Sequence, residues 1–294
     1  MTGFRTFACV ALAAVTASAG CAAMSRAGGV ASTEMTLDRI RATKTISMGY
    51  RASSVPFSYV GPEGKPTGYS VELCSRVADD LRRELQIPDL QIRWVPVAVE
   101  TRTPALLNGA IDLECGSTTN TLSRQEQVDF SLTTFVTGGS LLALAGTDPE
   151  GEIRDIRIAV IPGTTTEQTL KDVIAKLGPG GVELIAVKDH ADGLAAVETK
   201  SADAYASDRA ILIGLVLATQ DPTRFALMNR YFSYEPYGLM LRRGDPAFRL
   251  AVNRVLARLY RTGDIEPIYR RWFGEWGAPP NLLVALFALE GLPE

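Results

Sequence analysis

The sequence is poor in the residues that build metal sites. Its 294 residues include one histidine, His190, and four cysteines, with no C-x-x-C pair among them. A protein metal site needs several such ligands at close spacing, so we expect no metal. The formal net charge of -3 also gives no sign of the basic face that nucleic-acid binding requires, and we expect no nucleic-acid partner.

Long apolar runs are missing as well. Beyond the first thirty residues no run approaches the roughly 20 apolar residues that a membrane-spanning helix needs. Residues 1–30 instead have the order of a secretory signal peptide and linker: Arg5, an apolar run at 7–15, then small residues. Residues 17–19 (ASA) fit a cleavage site that releases a soluble protein, whereas 18–21 (SAGC) resemble a lipobox that would lipidate Cys21. Both alternatives predict export to the periplasm or the outer side of the cytoplasmic membrane.

What remains alternates short apolar runs with helical patterns, which is typical of an α/β protein. The length favours two lobes of about 100–150 residues each. Strands are predicted at 45–50, 91–95, 111–115, 139–145, 156–161, 202–206 and 237–242. Helices are predicted at 73–85, 104–109, 193–199, 209–217, 246–262 and 265–273.

Two similar segments point to related lobes. Residues 108–112 (NGAID) and 199–203 (TKSAD) both read as a helix end followed by a strand with an aspartate at its start. We therefore predict a discontinuous lobe one, 34–138 plus 239–294, and a lobe two, 139–238, with two hinge strands between them. Ligands of such sheets bind at the carboxyl ends of strands, so the site is expected there.

The first strand-to-helix junction with binding chemistry is residues 115–126. Ser117 and Thr119 would point to one side of extended chain. Ser123 and Glu126 fit a capping box, which would place Arg124 in the first turn of a helix. A guanidinium there can hold a carboxylate through two parallel hydrogen bonds. Routine helix capping is the alternative interpretation.

Two further junctions lie in the second half of the chain. Thr164 and Glu167 fit another capping box, so the free N–H groups of a helix start would offer an anion site. Asp208 follows the strand predicted at 202–206 and could accept hydrogen bonds from an ammonium group. It could equally cap the helix at 209–217.

Several segments, in order from about residue 37 to residue 281, resemble the glutamate/aspartate-binding proteins of ABC importers. They are GYRASSVPFSY, GYSVELC, ECGSTTN with SRQEQVDFS, GTTTE, KDHADG and YGLMLRRGDP. The resemblance implies the two-lobed periplasmic binding protein fold (type II, Venus-flytrap), without a cofactor and without catalysis. It also implies L-glutamate or L-aspartate as ligand and the membrane subunits of an ABC importer as partners, and we expect a monomer.

Carried over by position, the resemblance implies ten ligand-binding residues: Arg51, Arg102, Ser117, Thr119, Arg124, Thr164, Thr165, Thr166, His190 and Asp208. Arg124 would hold the α-carboxylate of the ligand, helped by Thr119 and the N–H groups of the GTTTE turn. Ser117 and Asp208 would take the α-ammonium group.

The side-chain carboxylate of the ligand would then meet Arg51, Arg102 and His190. Without such partners, desolvating a second carboxylate would be prohibitive. His190 stands between Asp189 and Asp192, which should favour its protonated form. We therefore expect affinity for an acidic ligand to weaken above the pKa of this histidine.

The sequence departs from the family pattern at two positions. Val99 stands where relatives usually have a serine that touches the side-chain carboxylate, and Leu239 stands where a cysteine is common. The second change leaves Cys115 without its usual partner, so a Cys74–Cys115 disulfide is a hypothesis and two buried free thiols are its alternative. For function, the alternatives are a dehydratase-like periplasmic enzyme of the same fold and a ligand sensor that acts through a partner.

Overall fold

The computed structural model describes residues 35–147, 155–177 and 181–294. The predicted signal peptide and the alternative lipidation site at Cys21 lie outside these ranges. The strands are β1 (Thr45–Tyr50), β2 (Ser53–Ser54), β3 (Ser58–Val60), β4 (Pro66–Thr67), β5 (Gln91–Pro96), β6 (Leu113–Glu114), β7 (Val128–Thr137), β8 (Gly139–Leu144), β9 (Arg157–Val160), β10 (Glu183–Ala186), β11 (Ala204–Asp208), β12 (Phe225–Leu227) and β13 (Glu235–Arg242). The helices are α1 (Thr36–Thr43), α2 (Tyr69–Glu84), α3 (Arg102–Leu107), α4 (Leu122–Gln125), α5 (Thr165–Leu177), α6 (His190–Glu198), α7 (Arg209–Leu217), α8 (Pro246–Thr262), α9 (Ile265–Phe273) and α10 (Asn281–Glu290), with 3₁₀ turns at Pro222–Arg224 and Gly274–Trp276.

Two five-stranded sheets confirm the predicted α/β class. The first has the order β5-β1-β6-β13-β7 and the second the order β10-β9-β11-β8-β12. In the first sheet β1 is parallel to β5 and β6, while β13 is antiparallel to β6 and β7. In the second, β9 is parallel to β10 and β11, while β8 is antiparallel to β11 and β12. The two sheets therefore share one pattern of strand directions.

The aspartates of the two similar segments play the same part in each sheet. Asp112 accepts a hydrogen bond of 2.8 Å from the backbone N–H of Ser47 in β1. Asp203 accepts one of 2.8 Å from the backbone N–H of Arg157 in β9. Each carboxylate thus ties the chain before one strand to the neighbouring parallel strand.

The chain crosses between the sheets at two adjacent places. β7 ends in the first sheet at Thr137 and β8 begins in the second at Gly139, while β13 belongs to the first sheet from Glu235 onward. The hydroxyl of Ser233 accepts a hydrogen bond of 2.8 Å from the backbone N–H of Gly139 and so links the two crossings. The lobe boundary predicted at 138/139 falls at the first crossing, and the one at 238/239 falls inside β13.

A cluster of aromatic rings packs beside the first sheet. Phe57, Phe135, Tyr237 and Phe273 are all buried, and the Phe57 and Tyr237 rings lie 5.1 Å apart in an edge-to-face arrangement. Phe273 of α9 packs 4.9 Å from Phe135, so this ring of the last predicted helix belongs to the core. This packing fixes Tyr237 in β13, and its hydroxyl bears on the site described below.

The structure corrects three helix starts and adds elements that were not predicted. α2 begins at Tyr69 rather than at 73, and α6 begins at His190 rather than at 193. α3 begins at Arg102 rather than Pro104, because a proline in the first turn costs no intrahelical hydrogen bond. Six strands (β2, β3, β4, β7, β10 and β12) and two helices (α1 and α10) have no counterpart in the sequence prediction. A disulfide joins Cys74 of α2 to Cys115 beyond β6, with the Cα atoms 6.1 Å apart. No helix in the described ranges is both long enough and apolar enough to cross a bilayer.

Candidate ligand-binding site

The carboxyl ends of the strands line a cavity of about 400 Å³, a volume that includes space open to solvent. All ten residues implied by the family resemblance lie on its wall: Arg51, Arg102, Ser117, Thr119, Arg124, Thr164, Thr165, Thr166, His190 and Asp208. Val99 lines it too, together with Ile161, Tyr205, Ala206, Ser207 and Ile211, which were not predicted as site residues.

Two arginines of this wall are almost completely buried and have few partners. Arg51 follows β1 directly and is 4% exposed, while Arg102 opens α3 and is 5% exposed. None of the described residues accepts a hydrogen bond from the Arg51 guanidinium. Arg102 donates one, of 2.7 Å, to Thr118 Oγ1. A guanidinium carries five N–H donors, so most of this capacity is left for a ligand.

A buried carboxylate stands behind the two arginines. Thr118 donates a hydrogen bond of 2.8 Å to Glu114 Oε2, while Glu114 Oε1 has no partner among the described residues. A Cβ at position 116 would lie 2.2 Å from that oxygen, so Gly116 leaves room for the carboxylate. Burial lowers the pKa of Arg102 to about 9, opposed by the charge of Glu114 and reinforced by that of Arg51. Two buried positive charges that act on each other favour an anionic ligand.

Arg124 approaches the cavity from α4, although its helix is not capped as predicted. Thr121, not Ser123, caps the helix by accepting a hydrogen bond of 3.2 Å from the Arg124 backbone N–H. The helix α4 therefore begins earlier than the predicted cap implied, and Arg124 still lies in its first turn. Its guanidinium donates to the carbonyl of Thr119 at 2.8 Å, and burial lowers its pKa against the raising effects of Glu235 and Asp208.

The start of α5 has the predicted capping pattern in a slightly altered form. Thr164 Oγ1 accepts from the Glu167 N–H at 3.1 Å, while the Glu167 carboxylate accepts from Gly163 N–H at 2.8 Å. Within the described ranges no acceptor takes the backbone N–H of Thr165 or Thr166. These two donors and the positive end of the helix are therefore available to a carboxylate.

Asp208 occupies the N-cap position of α7 without capping it. Its carboxylate instead accepts hydrogen bonds from Thr166 Oγ1, at 3.2 Å, and from the Tyr237 hydroxyl. Burial and, after it, the negative charge of Glu235 raise the pKa of Asp208 to about 7. The alternative that Asp208 serves only as a helix cap is wrong.

His190 differs from its expectation in charge. Asp189 caps α6, because its carboxylate accepts hydrogen bonds from the backbone N–H groups of Ala191 and Asp192. Burial first, and then the positive charges of Arg51 and Arg102, lower the pKa of His190 to about 3. The prediction of a protonated histidine is therefore wrong.

The neutral imidazole of His190 is held by a tyrosine that the sequence did not reveal. His190 Nδ1 lies 2.6 Å from the Tyr205 hydroxyl, which leaves Nε2 for a ligand. A Cβ on Gly193 would lie 2.3 Å from the Tyr205 ring, so glycine at 193 makes this placement possible. Ser207 Oγ is 3.5 Å from the same Nδ1, at the limit of a hydrogen bond.

Glu235 is a buried carboxylate next to the cavity that was not predicted from the sequence. It opens β13, is 1% exposed, and accepts hydrogen bonds from Thr119, Thr165 and Ser233 at 2.6, 2.7 and 2.6 Å. The sequence offered one signal, a glutamate two residues before the strand predicted at 237–242, which is otherwise almost entirely apolar. The bridge between Thr119 and Tyr237 brings the two segments together.

Residues 46–275 match the family model described as bacterial extracellular solute-binding proteins, family 3. The chain belongs to this family. It is 37% identical over 250 residues to an L-glutamate/L-aspartate-binding protein of Pseudomonas aeruginosa, covering 84% of this chain and 82% of that one. It is 35% identical over 274 residues to a glutamate/aspartate import solute-binding protein of Escherichia coli, covering 92% and 90%. Both relatives are named as binding proteins, not as enzymes.

Solved structures of amino-acid-binding proteins share the fold. A mutant of ArgBP from T. maritima superposes with a TM-score of 0.72 at 23% identity, covering 82% of this chain and 100% of that one. An ancestral amino acid-binding protein, described as a precursor of cyclohexadienyl dehydratase, gives 0.69 at 26% identity, covering 81% and 99%. The predicted two-lobed fold of the solute-binding family is thereby confirmed.

Proposed function

We propose that this solute-binding protein captures L-glutamate or L-aspartate and delivers it to the membrane subunits of an ABC importer. The observation that carries the proposal is the pair of buried guanidiniums, Arg51 and Arg102, whose donors are mostly unused. The names of the Pseudomonas aeruginosa and Escherichia coli relatives support the same ligand class. The protein acts outside the cytoplasm, as a monomer, after export by residues 1–30.

One end of the cavity suits the α-carbon groups that all amino acids share. Arg124 offers two parallel N–H donors to the α-carboxylate, joined by the free N–H groups of Thr165 and Thr166. Asp208 and Ser117 offer acceptors to the α-ammonium group. The three charges at this end, Arg124, Asp208 and Glu235, interact mainly with one another.

The other end of the cavity determines which ligand side chain can bind. Arg51, Arg102 and His190 all line the cavity, and the charges of the two arginines act on His190. A second carboxylate neutralises the two guanidiniums and can accept from the Nε2–H of neutral His190. The cationic side chain of arginine would be repelled there. Glutamine would leave the two buried positive charges with Glu114 as their counterion and no second carboxylate.

Closure joins the two sets of groups. Arg51, Arg102 and Arg124 lie on the side of the first sheet, whereas α5, α6 and α7 bring Thr164–Thr166, His190 and Asp208 from the side of the second. Only a closed cleft makes both sets of contacts, so ligand selects the closed state. The hinge lies at the two crossings, with lobe one at 34–138 plus 239–294 and lobe two at 139–238.

Calorimetric titration tests the proposal. The protein is unfolded and refolded to remove bound ligand, then titrated with L-glutamate, L-aspartate, L-glutamine and L-arginine. We expect tight binding of one or both acidic amino acids and little response to the other two. Silence from both acidic amino acids, or a preference for L-glutamine or L-arginine, would refute the proposed ligand class.

A further inference from the structure

Glu235 reaches both sides of the cleft with one oxygen atom. Its Oε2 accepts from Thr119 Oγ1 at 2.6 Å and from Thr165 Oγ1 at 2.7 Å, and the two hydroxyl oxygens are 3.4 Å apart. Its Oε1 accepts from Ser233 Oγ at 2.6 Å. Glu235 does not itself line the cavity, whereas Thr119 and Thr165 do.

These bonds decide which atoms the two threonines offer to a ligand. A hydroxyl carries one proton, and an ionised carboxylate only accepts. Thr119 and Thr165 therefore donate their hydroxyl protons to Glu235, and only the lone pairs of the two hydroxyl oxygens remain available to a ligand in the cavity. A lone pair accepts from an ammonium group and repels a carboxylate.

We propose that Glu235 is a positioning residue that determines specificity for the ligand's ammonium group, acting through the hydroxyls of Thr119 and Thr165. This inference rests on the proposed function, since it concerns the same cavity. It changes the role that the family resemblance implied for Thr119, whose hydroxyl does not hold the α-carboxylate. That carboxylate depends on Arg124 and the N–H groups at the start of α5.

The charges around Glu235 agree with this role. Asp208 lies at the same end of the cavity, and Arg124 interacts with both carboxylates. Asp208 also interacts with the charge of Arg102 and with the Tyr237 hydroxyl. Both carboxylates act on Arg124, so an ammonium group at this end of the cavity meets two negative charges.

The test compares Glu235→Gln with the wild type on two ligands that differ only in the ammonium group, L-glutamate and glutarate. An amide can donate to one hydroxyl, which frees that hydroxyl's proton for the cavity and removes the negative charge. By calorimetric titration we expect L-glutamate to bind Glu235→Gln about tenfold more weakly or worse, the effect of losing one charge-assisted contact. Glutarate should bind equally well or better.

A purely structural role would give a different pattern. Equal losses for both ligands, or no loss for L-glutamate, would overturn the inference. Glu290→Gln is the matched control, because Glu290 accepts a hydrogen bond from the backbone of Thr133 away from the cavity. Its binding of both ligands should equal that of the wild type.

A second variant keeps the inference testable if Glu235→Gln fails to fold. Thr165→Val removes one hydroxyl, and it should weaken L-glutamate while leaving glutarate unchanged. A loss of glutarate binding would mean that Thr165 donates to a carboxylate, contrary to the inference. If the wild type binds a different amino acid, the proposed function fails, and that amino acid and its deamino analogue replace the two ligands in the same comparison.

Discussion

Lowering the pH should weaken the binding of acidic amino acids, and Asp208 is the reason. In the ligand-free protein its pKa is raised to about 7 by burial and by the charge of Glu235. An ammonium group needs the ionised carboxylate as its partner. Below about pH 7, binding must therefore release the proton from Asp208.

The size of the effect follows from that pKa. At about pH 5.5 only about 3% of the ligand-free protein carries an ionised Asp208, so affinity should fall about 30-fold relative to about pH 8.5. This is about 2 kcal/mol of binding free energy. The ligand contributes little, because free carboxyl groups titrate near pH 4. In the ligand-free protein His190 is neutral across this range, because its pKa is about 3.

The raised pKa of Asp208 also affects the stability of the ligand-free protein, with the opposite sign. A carboxyl that is harder to ionise in the folded state contributes its full stability below its unfolded pKa. It loses that contribution as the pH rises through about 7. Thermal unfolding with and without ligand should therefore show stabilisation by ligand shrinking as the pH falls.

Calorimetric titration between about pH 5.5 and about pH 8.5, in two buffers of different ionisation enthalpy, measures affinity and proton release together. We expect release to approach one proton per ligand at the acid end. Asp208→Asn should bind more weakly and show no such release. Constant wild-type affinity across this range, or tighter binding at low pH, would refute the assignment of the ammonium group to Asp208.

Three further predictions concern single residues. Arg124→Ala removes a charge-assisted bidentate contact and should cost about 3 kcal/mol of binding free energy. Arg76→Ala, on the outer face of α2, is the control and should leave the binding free energy unchanged. Wild-type affinity in Arg124→Ala would contradict the proposed role of Arg124. Val99→Ser adds a hydroxyl at the cavity wall and should strengthen acidic-ligand binding by about 1 kcal/mol in the same titration. Unchanged affinity for both acidic amino acids would exclude contact between this side chain and the ligand. Intact mass after alkylation should show Cys74 and Cys115 reacting only after reduction, and two thiols that alkylate without reductant would disprove the disulfide.

Local patterns were enough to predict most elements of the fold. β1, α7 and α9 have the predicted bounds. Of the three, α9 shows a clear helical stripe, since Ile265, Ile268, Tyr269 and Phe273 are its buried positions. α10 is apolar at almost every position, so it shows no helical stripe. β7 mixes threonines and serine into its apolar run because it is the edge strand of its sheet.

The site was predictable where its residues follow strands, and less so where they act across the fold. Arg124 and Asp208 stand at junctions that the sequence marks. Glu235 becomes a site residue only because β13 returns beside Thr119, and no local pattern records that meeting. The charge of His190 depends on burial and on two arginines that are distant in sequence, more than on the aspartates beside it in sequence.

The most direct test of the central claim is a crystal structure of the protein with L-glutamate. We expect the α-carboxylate on Arg124 and the N–H groups of Thr165 and Thr166, and the side-chain carboxylate between Arg51 and Arg102. A ligand bound in the reverse orientation, or a cavity left without the amino acid at saturating concentration, would contradict the account.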